Sequence, residues 1–138
     1  MKKLIFILAI FVSSLFVCSS HTIVNDTEII IKSEYYSSGN IKDQFFKIGS
    51  QYKVVRYFDN GSIEEIGYYN SISQKTGEWV RYHSDGKLSG VANYKDGLKH
   101  GFWKIYNSEG NMIVHLKYNK GKRVESFIWS EDKGIVCD

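Results

Sequence analysis

The chain has 138 residues, 15% of them aromatic and none of them proline, with ten tyrosines and two cysteines. That length allows one ordinary domain, and two cysteines rule out a disulfide framework. Its 18 basic and 15 acidic residues give a formal charge of +3 and are interspersed, so no tract of one sign points to nucleic acid or anionic lipid.

Lys2 and Lys3 precede an apolar run from Leu4 to Cys18 softened only by Ser13 and Ser14. At about 1.5 Å per residue such a run falls short of the roughly 30 Å hydrocarbon core. It reads as a secretory signal over residues 1–20, cut after Ser19 or Ser20, with a linker at 21–26 and a repeat domain at 27–138. The expected location is therefore periplasmic or extracellular. Bulky Phe16 and Val17 before Cys18 disfavour a lipoprotein ending, and Cys137 is then left without an intrachain partner. Loss of Lys2 and Lys3 brings the charge to about +1.

The rest of the chain is organised by glycine. Gly39, Gly61, Gly86, Gly110 and Gly134 stand 22, 25, 24 and 24 residues apart. Tyr35, Tyr57, Tyr82 and Tyr106 come four residues before the glycine, and Ile41, Ile63, Leu88, Met112 and Val136 two after it. Trp79, Trp103 and Phe127 occupy the slot seven before, with Val54 in the same place. Tyr69, Tyr94 and Tyr118 follow eight after, and Gly49, Gly97 and Gly121 close three of the units. Self-similarity at this period marks a repeat architecture of about four and a half units.

Each unit reads as a β-hairpin. The runs Ser37-Ser38-Gly39, Asp59-Asn60-Gly61, Ser84-Asp85-Gly86 and Ser108-Glu109-Gly110 put glycine where a turn needs positive φ. Met112, Val114, Leu116 and Tyr118, like Leu88, Ala92 and Tyr94, are expected to line one face of their strands. Proline is absent, as continuous ladders require, and the stretch from Asn70 to Thr76 reads as a longer surface loop. A hairpin of this size is unstable alone, so the predicted fold is all-β: a linear array of antiparallel hairpins, about 24 residues each, in a single-layer twisted meander sheet. The atypical end units, with Lys32 in the tryptophan slot and Lys47 in the second tyrosine slot, are expected to cap the edges.

The blocks Gly77-Glu78-Trp79-Val80-Arg81-Tyr82 and Gly101-Phe102-Trp103-Lys104-Ile105-Tyr106, each followed by a four-residue step to glycine, resemble the MORN repeat variant. The resemblance runs from about Thr27 to Val136 and is strongest between residues 77 and 121. Bacterial proteins of this kind are similar to the YwqK-type antitoxin family, which implies a repeat surface that binds and neutralises a protein toxin. The resemblance speaks to architecture more than to activity.

No catalytic apparatus is visible. His21, His83, His100 and His115 lack metal-ligand spacing, the glycines keep the period of turns, and the adjacent carboxylates Glu64-Glu65 and Glu131-Asp132 are expected to point apart or into water. The protein reads as a non-enzymatic binding protein of the cell envelope with no cofactor and no metal. Trp79 and Tyr82, like Trp103 and Tyr106, are three apart and so face opposite sides of a strand. A single layer cannot bury both, so one aromatic row should line an exposed face, and Trp79, Arg81, Trp103, Tyr82, Tyr106 and Tyr57 are its candidate residues. The partner fitted to such a face is a protein, a toxin by the resemblance. The alternative is an envelope glycan stacked on the rings; balanced charge makes the case for lipid weak.

Overall fold

The computed structural model describes residues 27–130 and 134–137; the expected signal segment and linker lie outside the described residues. Ten strands follow in chain order: β1 (Ile29–Tyr35), β2 (Ile41–Ile48), β3 (Gln51–Tyr57), β4 (Ile63–Tyr69), β5 (Lys75–Tyr82), β6 (Leu88–Lys95), β7 (Leu98–Tyr106), β8 (Met112–Asn119), β9 (Lys122–Ser130) and β10 (Gly134–Cys137). They form one open sheet in sequence order, each strand antiparallel to the next, with no helix among the described residues. The all-β meander expected from the glycine rhythm is what the chain adopts.

Two kinds of connection join the strands. The long kind is five residues closed by paired bonds: the Gly61 amide donates to the Phe58 carbonyl at 2.9 Å and the Phe58 amide to the Ser62 carbonyl at 2.8 Å. The same pair recurs around Gly39, Gly86 and Gly110, and all four glycines have φ between 83° and 92°. Gly134 is different, because it opens β10 opposite Ser130 and lies inside the ladder. The short kind includes the two-residue turns Asp96-Gly97 and Lys120-Gly121, both residues at positive φ, the geometry that matches strand twist.

The segment from Asn70 to Thr76 departs from the loop expected there. Ser73 donates to the Asn70 carbonyl and Asn70 to the Gln74 carbonyl, the bonding of the long turns, and β5 has already begun at Lys75. Ser73 holds φ 61° in the place of glycine, and the Asn70 carboxamide oxygen accepts the Gln74 amide at 2.9 Å to stabilise it.

The simple alternation read from the sequence is interrupted by a bulge at the start of every second strand. Arg56 faces Glu65 while Tyr57 faces Ile63, leaving Glu64 as the extra residue. Lys42, Ser89 and Ile113 are extra in the same way. One inserted residue reverses the side on which the preceding side chain falls. Met112 therefore pairs with Tyr106, and Leu88 with Tyr82, on the face opposite Val114, Leu116, Ala92 and Tyr94.

A single layer has little interior, and most of the buried side chains fall on one face, with Val55 on the other. Val54, Val55 and Trp79 are the buried apolar residues, with Glu65 and Ser126 the buried polar ones, among the described residues. The pairings run Phe45, Val54 and Gly67, then Trp79, Ala92, Trp103, Leu116 and Ser126 across the sheet. Outer strand β1 exposes Ile29, Ile30 and Ile31, and a bulge at Ile31 followed by Lys32 blunts that edge.

Candidate functional site

The tryptophan face is built by a small backbone device. Gly77 and Gly101 have φ of 64° and 62°, bulging the strand two residues before Trp79 and Trp103 so that each indole folds over the preceding strand. There Trp79 Nε1 donates to the Tyr68 carbonyl at 3.2 Å and Trp103 Nε1 to the Asn93 carbonyl at 2.9 Å. The indoles interleave with tyrosines: Tyr69, Trp79, Tyr94, Trp103 and Tyr118 follow one another at centroid distances of 5.1, 6.0, 5.1 and 5.3 Å, all tilted or edge-on. Lys75 Nζ sits 3.8 Å over the Trp79 ring, and Lys99 Nζ 4.4 Å over Trp103. Burial holds the Lys75 ammonium below its ordinary pKa and pushes the Tyr94 phenol up.

One row further along the same face runs a charged series that sequence reading missed. Asp43, Arg56, Glu65 and Arg81 are mutually opposed across β2 to β5. Arg56 bonds Glu65 and lies 3.4 Å from Asp43, while Arg81 lies 3.4 Å from Glu65. Glu65 is only 8% exposed and faces Arg56, while Glu64 is the extra residue of the bulge, so the adjacent carboxylates point apart, one of the two outcomes expected for them. Glu65 lies two residues before Gly67 in regular register and so shares the tryptophan face. Separations of 13, 9 and 16 residues follow no regular spacing, so the linear sequence carried no signal for this series and only the cross-strand register assembles it.

Arg81 ends that series. Its side chain is 56% exposed, and its neighbour on the next strand is Gly90. Between Trp79 and Trp103, Gly90 and Ala92 floor a groove of about 330 Å³, walled by Tyr94 and Ile105 and rimmed by Arg81 and Lys75. Small residues there leave the depression open, and the Glu65 carboxylate orients a cation at its edge.

The structure divides the six candidate residues between two faces. Trp79, Arg81 and Trp103 share the groove, whereas Tyr57, Tyr82 and Tyr106 each follow a residue of the tryptophan face, Arg56, Arg81 and Ile105, and fall on the opposite side. Tyr57 Oη donates to the Gln44 side chain at 3.0 Å on that side. Trp79 is 3% exposed and is core, with Lys75 covering its ring.

These features define a single-sheet hairpin-repeat protein with a layered aromatic face and, among the described residues, no group of histidine, cysteine and carboxylate side chains able to hold a metal. Residues 53–71 and 75–96 match the family model described as the MORN repeat variant, so the chain carries MORN-variant repeats there. Repeats of this kind serve generally in protein and membrane interaction. No curated protein matches the chain.

Proposed function

We propose that this is a non-enzymatic binding protein of the cell envelope that holds a protein partner on its tryptophan face, an immunity or antitoxin role as the YwqK-type resemblance implies. The observation that carries this reading is Arg81: an exposed guanidinium held by buried Glu65 at the rim of the groove floored by Gly90 and Ala92. Arginine at the edge of an apolar depression is the usual anchor of a protein interface, since its fork can take a partner carboxylate while the floor takes an apolar group. The envelope location rests on the apolar run of residues 4–18.

Glycan stacking is the competing reading, and it needs open ring faces. Trp79 offers none, and Trp103 lies under Lys99. The test is capture from the native envelope fraction by the mature chain and by its Arg81→Glu variant. A protein retained by the first and lost with the second supports the groove. Equal retention by both removes it.

A further inference from the structure

At the end of the sheet opposite the Gly39, Gly61, Gly86 and Gly110 turns, each connection is flanked by the same pair of residues on the tryptophan face: Lys47 opposite Tyr52, Lys75 opposite Tyr69, Lys99 opposite Tyr94 and Arg123 opposite Tyr118. One cation and one tyrosine thus recur in each unit. None of the four cations forms an ion pair among the described residues, although acidic side chains are almost as numerous in the chain as basic ones. The acidic residues of this face, Glu34, Asp43 and Glu65, all lie toward the long turns and are matched there by Lys32, Arg56 and Arg81. The sequence looks electrically mixed, and folding sorts it into a neutralised end and an uncompensated basic end.

Covering an indole does not account for the row. Lys75 and Lys99 do lie over Trp79 and Trp103, but Lys47 and Arg123 make no such ring contact among the described residues and keep the charge all the same. Both are exposed, as is Lys99. Lys75, Lys99 and Arg123 sit on alternate strands, which sets them roughly 9.5 Å apart. Beside each is a phenol able to donate a hydrogen bond to an anion.

We propose that the row Lys47, Lys75, Lys99 and Arg123, with its paired tyrosines, binds a linear polyanion: a chain polymer bearing phosphate or carboxylate groups, laid across the strands. A polymer engages successive sites through one chain, so weak single contacts add through effective concentration. A bilayer fits less well. Approached along this edge it would meet the turn tips first, and Gly49-Ser50, Ser71-Ile72-Ser73, Asp96-Gly97 and Lys120-Gly121 carry one acidic and one basic residue between them. A compact protein would need far more contiguous area than a row one side chain wide supplies. This site meets the Arg81 groove only at Lys75 and Tyr94, and its other members, Lys47, Lys99 and Arg123, lie outside it.

The experiment is a titration of the mature chain with long-chain inorganic polyphosphate, and separately with vesicles of phosphatidylglycerol and phosphatidylcholine, at about 50 and about 200 mM salt. Polyphosphate should bind with a strong salt dependence. The variant K47Q/R123Q, which touches no ring, should weaken binding about tenfold and flatten the logarithmic salt slope by about 1.5, at an unchanged melting temperature. Adding K99Q should weaken it further. Arg81→Glu, which abolishes capture in the test of the groove, should leave most of the polyphosphate affinity in place, so the two sites can fail separately. Absence of polyphosphate binding, an unaltered affinity in K47Q/R123Q, or binding to anionic vesicles alone with sensitivity to Ile72→Ser would each overturn the proposal.

Discussion

The indole of Trp79 lies directly over the α-carbon of Gly67, so close that a β-carbon there would stand 2.2 Å from Cδ2. No side chain fits that gap without displacing the ring. Gly67→Ala should therefore destabilise the protein by about 2–3 kcal/mol, a fall in melting temperature on the order of 10 °C. The penalty belongs to the pair. In a Trp79→Ala background, itself about 3–5 kcal/mol less stable, Gly67→Ala should cost almost nothing, and a double-mutant cycle by denaturant unfolding measures the coupling. Equal costs in both backgrounds would show that the ring does not set the requirement for glycine.

Glu65 is the shared partner of Arg56 and Arg81. Glu65→Gln keeps the shape and removes the charge. Both arginines retain contact with water, so solvent screening limits the loss to about 1–2 kcal/mol. Its larger effect should be on partner capture, because the Arg81 guanidinium loses the carboxylate that orients it. A variant that melts earlier yet captures the partner as well as the wild type would separate the charge series from the binding site.

Successive long turns are tied together by side chains. Tyr36 Oη donates to the Tyr57 carbonyl at 2.8 Å, and His83 Nε2 meets the Tyr106 carbonyl at 3.3 Å in the corresponding place. Tyr36→Phe deletes one such tie and should cost about 1 kcal/mol. Amide exchange should accelerate first in β1 and β2, since in a linear array each unit leans on its neighbours. Uniform acceleration across all strands would contradict this.

Ser73 occupies a left-handed conformation that glycine adopts freely. Ser73→Gly relieves that strain and adds unfolded-state entropy, a net gain of about 0.5 kcal/mol. Thermal unfolding reads it directly, and a destabilised variant would assign Ser73 a contact beyond its backbone.

Burial lowers the Lys75 pKa from 10.5. The folded state then holds this proton less tightly than the unfolded chain. Lys75 weakens the fold while both states carry the proton, and that penalty is relieved as pH rises through the folded value toward 10.5. Wild-type stability should accordingly gain on a Lys75→Met variant across that alkaline interval. Carbon NMR of the Lys75 side chain should give a midpoint below 10.5, and one at or above it would show that the ammonium is not held out of water.

The hairpin array was legible in the sequence because its determinants are local. Turn glycines act within five residues, alternation within one strand, and a repeat displays both four times over. Gly39, Gly61, Gly86 and Gly110 all took the turn geometry their spacing predicts. Parity between Trp79 and Tyr82 was equally local, and it divided the candidate residues between two faces. What parity could not say is which face would be packed.

That depended on contacts between units. Only the folded sheet shows that the tryptophans pack against tyrosines of neighbouring strands, Trp79 also over Gly67, and lie under a lysine of their own strand, which turns Trp79 from a candidate contact into core and leaves Arg81 as the exposed group beside it. Bulges and register decided the rest. One inserted residue at Ser89 and Ile113 moved Leu88 and Met112 off their expected face, and cross-strand register set Glu65 between two arginines. By itself the sequence determined the strands, their order and their turns, since each is specified by residues adjacent along the chain. Tertiary structure alone decided which side chains share a face and which charges are left unmatched, because cross-strand register brings together residues that the linear order keeps apart.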